Sequence, residues 1–201
     1  MKGIRAIVLA CVALLGLAGC RDLRGINSVE SAPPKMERAQ PAAFEYHAAT
    51  LDGTPGLQAR AFAIDRRRLL TARHAVLGFA RHLVKVGGEW QEADLLGASE
   101  YCDAALLQLP SDLPASYAPI VLDAAPVQAG DQVAVAGHAG RIEGLNTAQL
   151  DGQLHRGDSG SPVERAGKAV GILRGYATND ATLGHFTDAA QVGAWLATLR
   201  K

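Results

Sequence analysis

A succession of short apolar or alternating runs between Leu57 and Thr187 limits what this chain can become. Leu57 to Ile64, Arg68 to Thr71, His82 to Val86, Glu89 to Leu96 and Ala104 to Leu109 form a first set. Ile120 to Leu122, Gln132 to Gly137, Thr147 to Leu150, Ser161 to Val163, Ala169 to Leu173 and Leu183 to Thr187 form a second. Gly, Pro, Asp or Asn punctuates most gaps, and runs this short at this spacing predict an all-β barrel or sandwich. One helix stands apart. Asp188 to Leu199 sets Val192, Trp195, Leu196 and Leu199 on one face, with Thr187 or Asp188 as its cap. Trp195 is read as a packing anchor, and Arg66 to Arg68 as a solvated turn between strands.

Between two of these runs lies GDSGSP, Gly157 to Pro162. Gly157 and Gly160 allow a tight turn in which neighbouring N–H groups converge on one spot, the geometry of an oxyanion hole. Ser159 supplies a hydroxyl, a poor nucleophile near neutral pH unless a base stands beside it. That base is usually His, oriented in turn by a carboxylate.

Upstream, TARHAV (Thr71 to Val76) resembles the TAAHC-type string of chymotrypsin-like serine peptidases. DAALLQL (Asp103 to Leu109) resembles the DIALLKL string of the same family. GDSGSP resembles the family's nucleophile loop, and the order His, Asp, Ser is also the family's. The resemblance runs from about Phe44 to the C-terminus. It implies two antiparallel β-barrels, about 44–118 and 119–187, followed by a helix over 188–199. It makes His74 the general base and then acid, Asp103 its orienting carboxylate and Ser159 the nucleophile of an acyl-enzyme mechanism. The oxyanion hole falls to the N–H groups of Gly157 and Ser159. Asp94, the rival carboxylate, lacks the apolar sequel that follows Asp103. No Ile-Val-Gly-Gly start exists to pair with Asp158, which is expected to support its loop another way. Activity without activation, or after a second cut in the tether, both remain open.

The resemblance also locates specificity. Gln153, six residues before Ser159, falls at the base of the primary pocket, where trypsins carry Asp. Leu173 stands where glutamyl endopeptidases carry His, and Arg174 where Trp is common. Gln153, Arg156, Leu173 and Arg174 are therefore the expected substrate-binding residues, under neither the trypsin nor the glutamyl rule. A serine endopeptidase is the leading expectation. A non-catalytic peptide-binding lipoprotein on the same fold, or an esterase on the same triad, are the alternatives.

The N-terminus reads as an address. Lys2 and Arg5 precede an apolar stretch, Ala6 to Leu17, of signal-peptide rather than membrane-span length. LAGC, Leu17 to Cys20, resembles a bacterial lipobox, which implies a signal over 1–19 and acyl chains on Cys20. Arg21 after that Cys points to the periplasmic side of the outer membrane, and the Pro-bearing stretch over 20–43 reads as a tether. Cys11 leaves with the signal, so Cys102 has no partner for a disulfide and is read as a buried thiol. The chain carries 20 basic and 20 acidic residues, and losing Lys2 and Arg5 with the signal leaves a net charge of −2. No basic stripe points to nucleic acid. His138, His155 and His185 lie apart and in no metal-binding pattern, so neither a metal nor another cofactor is expected. The expected partners are a protein or peptide substrate and a membrane.

Overall fold

The computed structural model describes residues 40–199. The expected signal, Cys20 and nearly all of the expected tether lie outside the described residues. In chain order the strands are β1 (Gln40–Pro41), β2 (Ala43–Ala49), β3 (Pro55–Ala63), β4 (Arg68–Ala72), β5 (Arg81–Val86), β6 (Glu89–Ser99) and β7 (Ala104–Gln108). Then come β8 (Tyr117–Ala118), β9 (Gln132–Val135), β10 (His138–Gly144), β11 (Thr147–Leu150), β12 (Pro162–Arg165), β13 (Lys168–Ala177) and β14 (Asp180–Asp188). Helix α1 (Ala189–Thr198) follows. No helix among the described residues is long and apolar enough to cross a membrane.

Two closed antiparallel barrels result, ordered β2-β3-β4-β7-β6-β5 and β10-β11-β14-β13-β12-β9. This is the chymotrypsin-like architecture. β1 pairs in parallel with β8, and Ala42 just after β1 is fully buried, so the end of the stretch expected to be tether is part of the folded domain.

Strand alternation builds three cores. In β4 and β7, Leu69 and Leu107 are opposite each other and point into the first barrel with Tyr46 and Val84. Their neighbours Leu70 and Leu106 point the other way, into a cluster with Phe62, Ile172, Val192 and Leu196. That second cluster joins the outer face of the first barrel, β13 of the second barrel and α1. Val133, Ile142, Val163, Leu173 and Phe186 fill the second barrel. α1 starts where the sequence predicts: Asp188 Oδ1 accepts a hydrogen bond from Gln191 N–H at 2.8 Å. Such a cap contributes about 1 kcal/mol.

The Arg66 to Arg68 segment forms the expected solvated turn between β3 and β4 and is also anchored. Asp65 Oδ1 accepts from the backbone N–H groups of Arg67 (2.9 Å) and Arg68 (2.7 Å), which shapes the turn. The guanidinium of Arg67, however, donates to the carbonyls of Leu109 (3.1 Å) and Pro110 (3.0 Å), and that of Arg66 to the Leu113 carbonyl. These side chains tie down the chain leaving β7 rather than simply facing water, because carbonyls beyond a strand end have no ladder partner of their own.

Candidate active site

His74 sits on a single 3-10 turn, Arg73–Ala75, directly after β4. Asp103 immediately precedes β7, the strand paired with β4, so the ladder brings the two residues together. His74 Nδ1 and Asp103 Oδ2 are 2.8 Å apart, and the backbone N–H of His74 donates to Asp103 Oδ1 at 3.0 Å. Asp103 is held with φ +45°, a left-handed conformation uncommon outside Gly, Asn and Asp. The Arg73 N–H, which donates to the Asp103 carbonyl at 2.9 Å, helps to keep it there. Burial pushes the Asp103 carboxyl up. Hydrogen bonds from the His74 ring and backbone, with the nearby charges of His74 and Arg174, outweigh that and hold it below the ordinary carboxylate value. It is thus an anion, which can only accept, so His74 Nδ1 carries the hydrogen between them and a neutral ring keeps its lone pair on Nε2.

Ser159 comes from the second barrel, on the loop before β12. That loop is fixed at several points. Its Asp158 carboxylate accepts from the His155 N–H at 2.7 Å, and the Asp158 N–H donates to the His155 carbonyl at 3.1 Å. The Gly160 N–H donates to the Leu173 carbonyl, and the Ser159 carbonyl accepts from the Arg60 N–H, both at 2.8 Å. Gly160 has φ +86°, and a Cβ there would fall 2.1 Å from the Arg60 carbonyl oxygen. Only glycine lets the loop seat against β3 of the first barrel. Gly157 is also left-handed, at φ +106°. Among the described residues, the N–H groups of Gly157 and Ser159 have no acceptor. They are available to a developing oxyanion.

His74 and Ser159 line one hollow of about 370 Å³, together with Leu57, Gln58, Arg156 and Tyr176. Within it, Ser159 Oγ–H donates to the Arg174 carbonyl at 3.0 Å. Arg174 Nε lies 3.6 Å from Asp103 Oδ2, so this one residue touches both ends of the constellation.

The expected specificity residues divide. Arg156 and Arg174 border the cleft. Leu173 does not: it is 1% exposed and packs in the second barrel, because β13 directs it inward opposite Phe186. Gln153 is exposed and lines neither hollow of the cleft, while its neighbour Leu154 turns into the core against Leu173 and Gly184. Leu57, Gln58, His155 and Tyr176 carry no motif and were reachable only through the fold. Cys102 is buried beside Asp103 and free among the described residues.

A family model described as "Trypsin-like peptidase domain" matches residues 59–172. The serine proteases Rv3671c and MT3772 of Mycobacterium tuberculosis are each 26% identical over 170 residues, covering 71% of this chain. The chain spans 42% of the length of these curated relatives. The crystal structure of the active form of the Rv3671c protease superposes with a TM-score of 0.67 at 24% identity, covering 80% of this chain and 82% of the other. A serine endoprotease from Yersinia pestis superposes with a TM-score of 0.65 at 21% identity, covering 81% of this chain and 64% of the other. These two likenesses are likenesses of fold. With the family model spanning more than half of its length, this chain belongs to the trypsin-like peptidase domain family.

Proposed function

We propose that this chain is a serine endopeptidase that cleaves peptide bonds through His74, Asp103 and Ser159. The observation that carries the reading is the 2.8 Å contact between His74 and Asp103, with His74 lining the hollow that also holds Ser159 and Gly157. In the first step the Ser159 hydroxyl turns from the Arg174 carbonyl toward His74 Nε2. Nε2 takes its proton as Oγ bonds to the substrate carbonyl carbon. The carbonyl π pair moves onto oxygen, where the Gly157 and Ser159 N–H groups receive it. Collapse expels the amine, which leaves with the proton from Nε2–H, and an acyl-Ser159 remains. Water repeats the sequence with His74 again as base, releasing the acid and restoring Ser159.

A fluorophosphonate tests the reading. Full-length protein should be labelled at Ser159, and Ser159→Ala should abolish labelling and peptide cleavage together. Folded wild-type protein that resists the reagent would remove the enzyme from consideration.

We further propose that the domain works at a bacterial envelope membrane, held by acyl chains on Cys20 after removal of 1–19. LAGC supports this, and one acyl chain alone anchors only marginally, so a lipoprotein Cys carries more than one. The outer membrane's periplasmic side is the expected site, with the stretch from Arg21 as tether. Labelled palmitate should enter the wild-type chain, and Cys20→Ala should lose both the label and membrane fractionation. Label retained in Cys20→Ala would contradict it.

A further inference from the structure

Tyr176 separates two hollows in the cleft. One, of about 370 Å³, holds His74 and Ser159 and is walled by Leu57, Gln58 and Arg156. The other, of about 350 Å³, lies beyond Tyr176 and is bordered by Arg174 and His185. Ser159 and Gly157 in the first hollow face the scissile carbonyl, and the departing amine receives its proton from His74, so the leaving fragment sits against the part of that hollow next to the imidazole. No Asp or Glu lines either hollow.

The two arginines are not equivalent. Arg174 sets its Nε 3.6 Å from Asp103 Oδ2, and much of its field falls on that carboxylate. Arg156 is exposed and forms no ion pair among the described residues. His155, also exposed, stands beside it on the wall of the leaving-group hollow. The nearest acid in sequence, Asp158, is engaged with the His155 backbone N–H at 2.7 Å. The leaving-group side therefore carries an unpartnered guanidinium, whose planar fork matches a carboxylate.

We propose that this hollow selects an acidic residue, Asp or Glu, among the first two residues after the scissile bond, and that Arg156 reads it. The inference rests on the triad reading above. An exposed pair supports a graded preference, of about three- to fivefold, and not an absolute requirement.

The test is a peptide library with randomised positions on both sides of the scissile bond, cleaved by the full chain. The new N-termini report the leaving-side residues directly. Asp and Glu should exceed Asn and Gln by about three- to fivefold at one of the first two positions. Arg156→Gln should bring that ratio to about one, and Arg156→Glu should turn the preference toward Lys and Arg. Added salt should shrink the wild-type ratio. Equal use of Asp and Asn, or a preference that survives Arg156→Gln, overturns the assignment. Fluorophosphonate labelling separates this from the triad. A labelled enzyme without acid preference sinks the subsite alone. An enzyme that is labelled but cuts no peptide also sinks it and leaves ester hydrolysis. A wild-type chain that is not labelled sinks both.

Discussion

The Arg174 carbonyl oxygen lies 3.0 Å from Ser159 Oγ and accepts a hydrogen bond from it, so the Ser159 hydroxyl is bound to the second barrel's own strand rather than to the imidazole across the cleft. Arg174 stands at an irregularity in β13, between Leu173, paired with Phe186, and Gly175, paired with His185. The bulge turns its carbonyl into the cleft. In the proposed mechanism the hydroxyl must leave this carbonyl for the imidazole, and side-chain rotation of that kind is fast on the scale of turnover.

Ser159→Ala removes the attacking oxygen and leaves the loop's backbone contacts in place. Turnover should fall by roughly 10⁵–10⁶-fold with the melting temperature nearly unchanged. Peptide hydrolysis and thermal denaturation on the same preparation check both halves.

Asp103→Asn and Asp103→Ala should separate chemistry from backbone. Asn tolerates the left-handed conformation at φ +45° but no longer provides an anion that fixes the tautomer, so kcat should drop by about 10⁴-fold in a folded protein. Ala should lose similar activity and in addition about 1–3 kcal/mol of stability, from backbone strain and the unanswered His74 N–H. Equal melting temperatures for the two variants would contradict the strain argument.

Gly160→Ala and Gly167→Ala form a matched pair. Both positions are left-handed, at φ +86° and +76°. A Cβ at Gly160 would meet the Arg60 carbonyl at 2.1 Å, whereas one at Gly167 meets nothing within 4 Å. Gly167→Ala should cost about 1 kcal/mol and keep activity. Gly160→Ala should cost several kcal/mol and unseat Ser159, on the order of other severe backbone clashes. Chemical denaturation and fluorophosphonate labelling of both variants give the comparison.

Acid should weaken the first barrel through His82. The ring is buried, and its Nδ1 shares a hydrogen bond with Tyr46 Oη at 2.7 Å. Burial lowers the His82 pKa, only partly countered by Glu92, and raises that of the Tyr46 phenol. The unfolded chain then binds the proton more readily than the folded one. The stabilisation is complete above the ordinary imidazole value, about 6.5, and is lost as pH falls below it toward the lower folded value. Denaturant midpoints of the wild type should decline between about pH 7 and pH 5, and His82→Gln should flatten that slope. Parallel slopes would reject the assignment.

Legibility differed between elements for physical reasons. β11 and β7 were readable because Ala148 and Leu150 alternate with polar neighbours and Ala104 to Leu107 forms an unbroken apolar run of strand length. β10, His138–Gly144, carries a single large apolar residue, Ile142, so no period emerges. Its Gly140 is required because a Cβ would strike the Gln149 carbonyl at 2.3 Å, a contact no local pattern reveals. Ile120 to Leu122 read as a strand but forms only an isolated bridge, Leu122 to Ala169, since its apolar groups pack into the seam beneath α1. His74, Asp103 and Ser159 were legible through the strings around them. The walls of the cleft were not. Leu173 and Gln153 turned away from it because which face of β13 and of its neighbouring loop meets the cleft depends on a bulge that spacing does not encode.

The seam cluster has a consequence for how the protein is made. Phe62, Leu70 and Leu106 face outward from the first barrel and are covered by Ile172, Val192 and Leu196. A ribosome delivers those covering residues after the whole of the first barrel. Until they arrive, a closed first barrel presents an oily flank to its surroundings, a hazard that invites a holding chaperone.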